Sequence, residues 1–437
     1  MPYQSGSRLP GERASRIGHL EVVKSDLVKS IIQSFDSPEP PLVESKTEWK
    51  VQSFSGNSLP IIFGIDGSMQ VNQYEKPPQK AIAFVKTALL RLDQYSISQI
   101  DREYPNPFAL RDMLSDSALY HATVFPLRHT PIPGMNTYDA IRQIIFESIK
   151  EKGGSLDTEV METLKWLAYE KWAENDKSLQ PFECPHCEEV VASLNYNEEK
   201  GTCSGCGGSL FLTDMLGFHQ EMAPDSAPDT VATAYMNIHE TLLLFTAVRY
   251  YWETNKKILS NCLFVKDGPL MLRAQYSKLV DPIRRFLFFA QKNNFPVHII
   301  GQEKTGRFMD HLQLIKKDAQ ERSIFMPDNK YIKEIIKSRP NRGGPYGEKT
   351  NYGNKIFVKL DNYHSMVLNI PHYSEEPSYM DTLDADRIFA TIPKILSNRY
   401  EGALLPIELA HGVASLSTYP SAKILKIFSE SKEPPII

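Results

Sequence analysis

Apolar positions follow two different spacings along this chain, and the spacing changes at polar breaks rich in proline or glycine. Compact apolar runs at 61–65, 81–93, 118–127 and 261–267 predict strands, and a densely apolar stretch near 231–256 predicts a long buried helix. Other segments favour helices (18–35, 137–154, 157–174, 281–294, 385–398 and 405–417), a short strand (296–300) and a pair of strands (355–370). Strands that cluster early and then alternate with helices predict an α/β fold around a sheet of mixed direction.

Composition narrows the class of protein. At 437 residues, with 41% hydrophobic and 23% charged residues, the chain is typical of soluble globular proteins with more than one structural unit. A net charge of −4 argues against a generally basic protein that coats DNA. No run approaches the roughly 20 apolar residues of a membrane helix, and the polar start lacks the apolar core of a signal peptide. We therefore expect a cytoplasmic protein with no membrane association.

Four of the five cysteines form two pairs with metal-ligand spacing. Cys184 and Cys187 make one CxxC pair, Cys203 and Cys206 make the second, and 15 residues separate them. Each pair can form a thiolate knuckle, and two facing knuckles complete a tetrahedral shell of four sulfurs. The sequence predicts a structural zinc ribbon at 181–210, because a closed shell leaves no position for catalysis. A redox CxxC motif or unliganded thiols are the alternatives.

Two aspartates follow apolar strand-like runs and are each followed by glycine. Asp66 comes after 61–65, and Asp267 comes after 262–265 and a lysine. Carboxylates at the ends of neighbouring strands can hold Mg²⁺ or Mn²⁺, which prefer oxygen ligands. Either Asp-Gly pair alone is also typical of an ordinary turn.

A third carboxylate stands at Glu240, at the start of a run that is apolar on nearly every side. A carboxylate near such a buried helical surface must be paired, metal-bound or protonated. The alternative is that Glu240 faces solvent in the first turn of its helix. Glu253, farther along the same run, is a weaker substitute because polar residues follow it.

Five short segments occur in an order that resembles one nuclease family. They are IDGS (65–68), MNIHETLLLF (236–245), KDGPL (266–270), IIGQEKTG (299–306) and LPIELAHGVAS (405–415). In this order they resemble the NurA nucleases, which partner the hexameric HerA ATPase. The cysteine-rich insertion and the polar start are similar to the longer bacterial members.

The resemblance implies an RNase H-like fold and DNA cleavage that depends on Mn²⁺ or Mg²⁺, with two ions bound. Asp66, Glu240 and Asp267 would be the metal ligands. Lys304 would contact the scissile phosphate, and His411 would lie near the metals as a ligand or proton shuttle. Without the resemblance, Lys304 is typical of a solvated lysine and His411 of a core histidine. The family's aromatic residue before the last histidine has Tyr400 as its nearest counterpart here.

The resemblance also implies a homodimer that docks on a HerA-type ATPase and acts on DNA, in DNA end processing (repair) or in antiviral defence against phage. We expect an N-terminal helical segment at 1–59 and a nuclease domain at 60–437, with the ribbon at 181–210 inserted in it. Two other functions stay open: a different RNase H-like nuclease of the PIWI type, or a non-catalytic zinc-ribbon adaptor that binds nucleic acid.

Residues 330–359 carry eight lysines or arginines against two glutamates, interleaved with tyrosines and glycines. Such a basic segment suits attraction to a DNA backbone and stacking on single strands. We expect Arg339, Arg342, Lys349 and Tyr346 to contact nucleic acid, and neutralising the three cations to weaken binding and flatten its salt dependence. The alternative is a solvated linker.

Overall fold

The computed structural model describes fourteen segments of the chain, which divides into two compact units, residues 1–46 and 47–437. The described segments are 22–34, 47–74, 79–100, 118–130, 132–151, 159–173, 179–188, 190–191, 194–222, 229–336, 344–371, 385–399, 402–417 and 421–430. In the first unit they hold one helix, α1 (Asp26–Ser34), whose Leu27 and Ile32 side chains are exposed.

The second unit contains the strands and the remaining helices. The strands are β1 (Lys50–Val51), β2 (Ile61–Gln73), β3 (Ala81–Asp93), β4 (Ala118–Arg128), β5 (Phe182–Glu183), β6 (Val190–Val191), β7 (Lys200–Thr202), β8 (Ser209–Phe211), β9 (Cys262–Asp267), β10 (His298–Glu303), β11 (Ser323–Phe325), β12 (Asn354–Lys359) and β13 (Ser365–Ile370). The α-helices are α2 (Gln94–Ser98), α3 (Thr137–Lys150), α4 (Val160–Ala168), α5 (Asp229–Thr254), α6 (Lys256–Leu259), α7 (Val280–Lys292), α8 (Arg307–Ile315), α9 (Asn329–Glu334), α10 (Ala385–Thr391), α11 (Leu405–Ala414) and α12 (Ser421–Glu430).

Nine strands form one mixed sheet in the order β1-β11-β12-β13-β10-β9-β2-β3-β4. The central strands β2, β9 and β10 are parallel, whereas the other neighbours pair antiparallel. The predicted mixed α/β sheet is therefore confirmed. The apolar runs 262–265 of β9 and 299–300 of β10 fit the central position of these strands, which are buried on both faces.

Helices cover both faces of the sheet. On one face, Ile238 and Leu242 of α5 and Phe286 of α7 share a core with Phe63 of β2. On the other, helices α10 and α11 pack against alternate strand residues such as Ile62. The helix α11 approaches β2 most closely at Gly64, where an added Cβ would lie 2.2 Å from the backbone oxygen of Pro406.

Several elements differ from the sequence-based expectation. The strand β2 does not end before Asp66 but continues to Gln73, because β3 pairs with it over its full length. The short strand β11 and helices α8, α9 and α12 were not predicted, since their apolar runs are brief or carry many charges. In the basic segment 330–359, Tyr352 is buried, and β12 begins at Asn354.

The cysteine-rich insertion is anchored by a buried arginine. Arg142 of α3 makes two hydrogen bonds to the carboxylate of Asp214, at 3.0 and 2.8 Å, and a third to Asp139 at 2.8 Å. Its Nη2 also donates to the carbonyl oxygen of Ser209 in β8. A planar guanidinium that satisfies this many acceptors fixes the insertion against α3.

None of the helices in the described part of the chain combines the length and the apolar character needed to span a lipid bilayer.

Candidate active site

Asp66 and Asp267 lie side by side in the middle of the sheet. Parallel β2 and β9 pair Ile65 with Lys266, so the next position brings the two aspartates level on neighbouring strands, roughly 5 Å apart along the sheet. Alternation along each strand directs both side chains toward the same face. The strand β9 then ends in a turn at Gly268, whose N–H donates to Asp267 Oδ1 at 3.1 Å.

Glu240 reaches the same region from α5. It lies within the helix, eleven positions after its first residue, and is 5% exposed, so the solvent-facing alternative is wrong. Its Oε1 would lie 2.5 Å from a Cβ added to Gly67, the residue after Asp66. Glycine at 67 therefore lets the Glu240 carboxylate approach the backbone of β2. Glu253 is at the exposed end of the helix and pairs with Arg249.

Lys266 compensates the charge of Glu240. Its Nζ lies 2.7 Å from Glu240 Oε2 and also donates to the carbonyl oxygen of Asp267 at 3.0 Å. Burial alone would lower the pKa of Lys266, but Glu240, Tyr352 and Asp267 together outweigh this and raise it. Burial raises the pKa of Glu240, and Lys266 opposes that change.

Lys304 and His411 each contact one of the two aspartates. Lys304, one residue beyond β10, places Nζ 3.0 Å from Asp267 Oδ1 and is partly exposed. His411 of α11 places Nδ1 2.8 Å from Asp66 Oδ2, and 57% of its side chain is exposed. The interpretation of His411 as a core histidine is therefore wrong. The structure brings together all five residues that the sequence singled out for catalysis.

The other two carboxylates affect the pKa of Asp66. Burial, followed by the negative charges of Asp267 and Glu240, raises the pKa of Asp66 from 3.8 to about 7. His411 and a hydrogen bond from the N–H of Gly67 oppose this rise. Ionising all three acids together is costly, and a cation among them would remove that cost.

The donor set fits Mg²⁺ or Mn²⁺, because all three candidate ligands are carboxylates. The acids are more widely spaced than the four cysteines, which are, among the described residues, the one group of potential ligands whose atoms all lie within 4.8 Å of one another.

The cysteine cluster has the dimensions of a tetrahedral metal shell. The Sγ atoms of Cys184 and Cys206 are 3.8 Å apart, and those of Cys187 and Cys203 are 3.7 Å apart. Tetrahedral Zn–S bonds of about 2.3 Å require sulfurs about 3.8 Å apart. Backbone N–H groups of Cys206 and Gly205 lower the pKa of Cys203 to about 7, which favours the thiolate. The cluster can therefore hold zinc.

The basic segment is less accessible than its composition indicates. Lys355 is buried and paired with Glu303, and Tyr352 is buried beside Thr241. Neither side chain can therefore contact a nucleic acid at the surface. Tyr346 is half-buried with its ring 5.5 Å from that of Phe308. Lys349 is exposed. Arg339, Arg342 and Tyr400 lie outside the described residues.

Lys266 is the site residue that sequence reasoning did not single out. The available signal was a lysine that directly follows the apolar run 262–265 in a predicted strand. Such a residue requires a buried anion, and Glu240 supplies it.

Comparisons with known proteins add little to this geometry. No family model matches the chain, and no curated protein matches its sequence. Two solved structures are similar over nearly their full length: "Crystal structure of NurA" (10% identity, 97% of this chain and 98% of that one, TM-score 0.28) and "Crystal structure of NurA bound to dAMP and manganese" (11% identity, 98% of each, TM-score 0.28). Superposition at this TM-score is poor, and the residues of this chain carry the function proposed below.

Proposed function

We propose that this protein is a divalent-metal-dependent deoxyribonuclease of the NurA type, with an RNase H-like catalytic centre. One observation carries the proposal: Asp66 and Asp267 lie level on neighbouring strands and contact His411 and Lys304, while Glu240, from the helix on the other face of the sheet, reaches β2 at Gly67 and acts on Asp66 through its charge. The ordered sequence segments that resemble NurA contain these same five residues.

Each residue has a role that its surroundings support. The three carboxylates would hold Mn²⁺ or Mg²⁺, which supplies an activated water and stabilises the leaving oxygen in phosphodiester hydrolysis. Lys304 is partly exposed and can contact a phosphate oxygen that approaches Asp267. His411 offers its solvent-facing Nε2 for proton transfer, while Nδ1 faces Asp66. Lys266 holds the Glu240 carboxylate in place through its hydrogen bond to Oε2.

The partners follow from the sequence resemblance. We propose that two copies of the chain dock on a HerA-type hexameric ATPase that supplies DNA, and that the assembly processes DNA ends or destroys phage DNA in the cytoplasm. The cysteine cluster would hold structural Zn²⁺ in a ribbon at 181–210.

A non-catalytic adaptor is the competing function, and one observation favours it. Every carboxylate of the site contacts a basic side chain: His411 for Asp66, Lys266 for Glu240 and Lys304 for Asp267. A closed set of such contacts is also what a purely structural network would contain. The two partly exposed side chains, Lys304 and His411, distinguish the cases, because a structural network gains little from contacts that water screens.

A nuclease assay decides between them. Purified chain is incubated with Mn²⁺ and either linear or circular DNA, with and without the ATPase. We expect Asp66→Asn and Asp267→Asn to abolish cleavage while the fold is retained, and the exposed Asp318→Asn to cleave as the unchanged protein does. Cleavage at the wild-type rate by both site variants would refute the proposed nuclease site. Cleavage of circular DNA reports whether a free end is needed.

A further inference from the structure

An exposed tyrosine lies in the same row of the sheet as the candidate carboxylates. Asp66 of β2 pairs with Ala88 of β3, and Ala88 pairs with Tyr120 of β4. Two strand spacings separate Asp66 from Tyr120, or about 10 Å. Alternation places both side chains on the face that α11 covers. Tyr120 is nevertheless 58% exposed.

A lysine supports the tyrosine ring and neutralises the end of the neighbouring helix. Lys86 places Nζ 4.6 Å from the centre of the Tyr120 ring. The same Nζ donates to the carbonyl oxygen of Val413, in the last turn of α11, at 2.6 Å. A helix C-terminus repels phosphate through its partial negative charge, and a bonded ammonium offsets that charge.

The last turn of α11 connects the carboxylates and the tyrosine, because His411 contacts Asp66 and Val413 accepts from Lys86. His411 and Gly412 are exposed in this turn. A Cβ added at Gly412 would meet no atom within 4 Å. At the helical rise of 3.4 Å per nucleotide, about three nucleotides cover the distance from Asp66 to Tyr120.

We propose that Tyr120 is a stacking subsite for an unpaired base a few nucleotides from the scissile phosphate, with Lys86 as its support. The proposal rests on the nuclease function above and refines its substrate: the preferred DNA is a single strand or an unpaired end. A base held in a duplex is already stacked on its neighbours, whereas an unpaired base gains a new partner in the tyrosine ring. The exposed Val124, two positions farther on the same face, continues the apolar surface along the strand.

The test compares Tyr120→Ala and Tyr120→Phe with a matched control, Tyr363→Ala. Tyr363 is 77% exposed and lies in the turn between β12 and β13. Binding of a short labelled single-stranded oligonucleotide is measured by fluorescence anisotropy with Ca²⁺ in place of Mn²⁺. Loss of one stacked base weakens binding by about tenfold. We expect that loss for Tyr120→Ala, and unchanged binding for Tyr120→Phe and for Tyr363→Ala.

A second readout separates this inference from the nuclease itself. With Mn²⁺, Tyr120→Ala should lower cleavage of a duplex with an unpaired end more than cleavage of a blunt duplex. If the unchanged protein cuts DNA while Tyr120→Ala binds single strands as tightly as it does, the subsite is refuted and the nuclease stands. Equal weakening by Tyr120→Phe would also refute it, because the hydroxyl would then be the contact. If the unchanged protein neither binds nor cuts DNA, both proposals fail.

Discussion

Lys266 and Glu240 form a buried ion pair, with 2.7 Å between Nζ and Oε2, next to the two aspartates of the candidate site. One partner comes from the central strand β9 and the other from α5, so the pair ties the helix to the sheet at the point where metal ligands would have to be held. Each side chain is at most 6% exposed.

Removing the lysine alone should be more harmful than removing both charges. Lys266→Met leaves Glu240 buried without a partner, which costs about 3–5 kcal/mol of unfolding free energy. The double variant Lys266→Met/Glu240→Gln should regain most of that loss, although it lacks cleavage activity. Urea unfolding of the three proteins at neutral pH measures the effect. A Lys266→Met variant as stable as the unchanged protein would show that the pair contributes nothing.

Asp66 predicts an unusual dependence of stability on pH in the metal-free protein. The unfolded chain releases this proton near 3.8, whereas the folded chain retains it until about 7, so stability is lost as the pH rises through that window. Asp66→Asn cannot ionise, and its stability relative to the unchanged protein should grow between pH 4 and pH 8 by at most about 4 kcal/mol. Thermal unfolding of both proteins across this range is the measurement. Added Mn²⁺ should abolish the trend, because the cation favours the ionised form.

Gly67 should affect both activity and folding. In Gly67→Ala the new Cβ would approach Glu240 Oε1 to 2.5 Å and Met236 Cγ to 2.6 Å, so both side chains must move. We expect Mn²⁺-dependent cleavage to fall at least tenfold, together with a loss of stability of about 1–3 kcal/mol. Gly412→Ala provides the comparison, because its Cβ enters open space and alanine favours a helix by up to about 1 kcal/mol. Parallel melting and cleavage curves give the answer, and equal activity of Gly67→Ala and the unchanged protein would contradict the placement of Glu240.

The cysteine cluster predicts one zinc ion per chain. Cys203→Ser removes one of four ligands, so zinc content measured by elemental analysis should fall and the melting temperature should decrease. Cys262→Ala is the matched cysteine change, since Cys262 is buried in β9 and is not among the four clustered cysteines. Its zinc content should stay at one. Cleavage by the zinc-depleted protein should persist below its melting temperature, and its complete loss would place zinc in the reaction.

The sequence predicts the central elements of this fold well, because their apolar runs are long and their edges are polar. The helix α5 and the strands β3, β4 and β9 lie where the pattern placed them. The end of β2 was misplaced, since Asp66 and Gly67 interrupt the apolar run while backbone pairing with β3 continues past them. Pairing between strands is a tertiary property that a local pattern does not contain.

The sequence indicated the residues of the candidate site but not the contacts among them. Asp66, Glu240 and Asp267 could be named because a carboxylate beside a buried apolar run needs a reason to be there. That Lys266 compensates Glu240, and that Gly67 provides the space for it, depends on how α5 crosses the sheet. In the basic segment, the sequence indicates more accessible cations than the structure contains, because local charge cannot reveal that Lys355 is buried against Glu303.

The contact between Asp66 and His411 joins residues 345 positions apart. Because a chain emerges from the ribosome with its N-terminal part first, the strand that carries Asp66 is made long before the helix that carries His411. A nascent chain therefore holds an incomplete centre for almost the whole of its translation. Under the proposed function, the reactive point of the nuclease is thereby assembled last, and every product of a synthesis interrupted before residue 411 lacks the histidine.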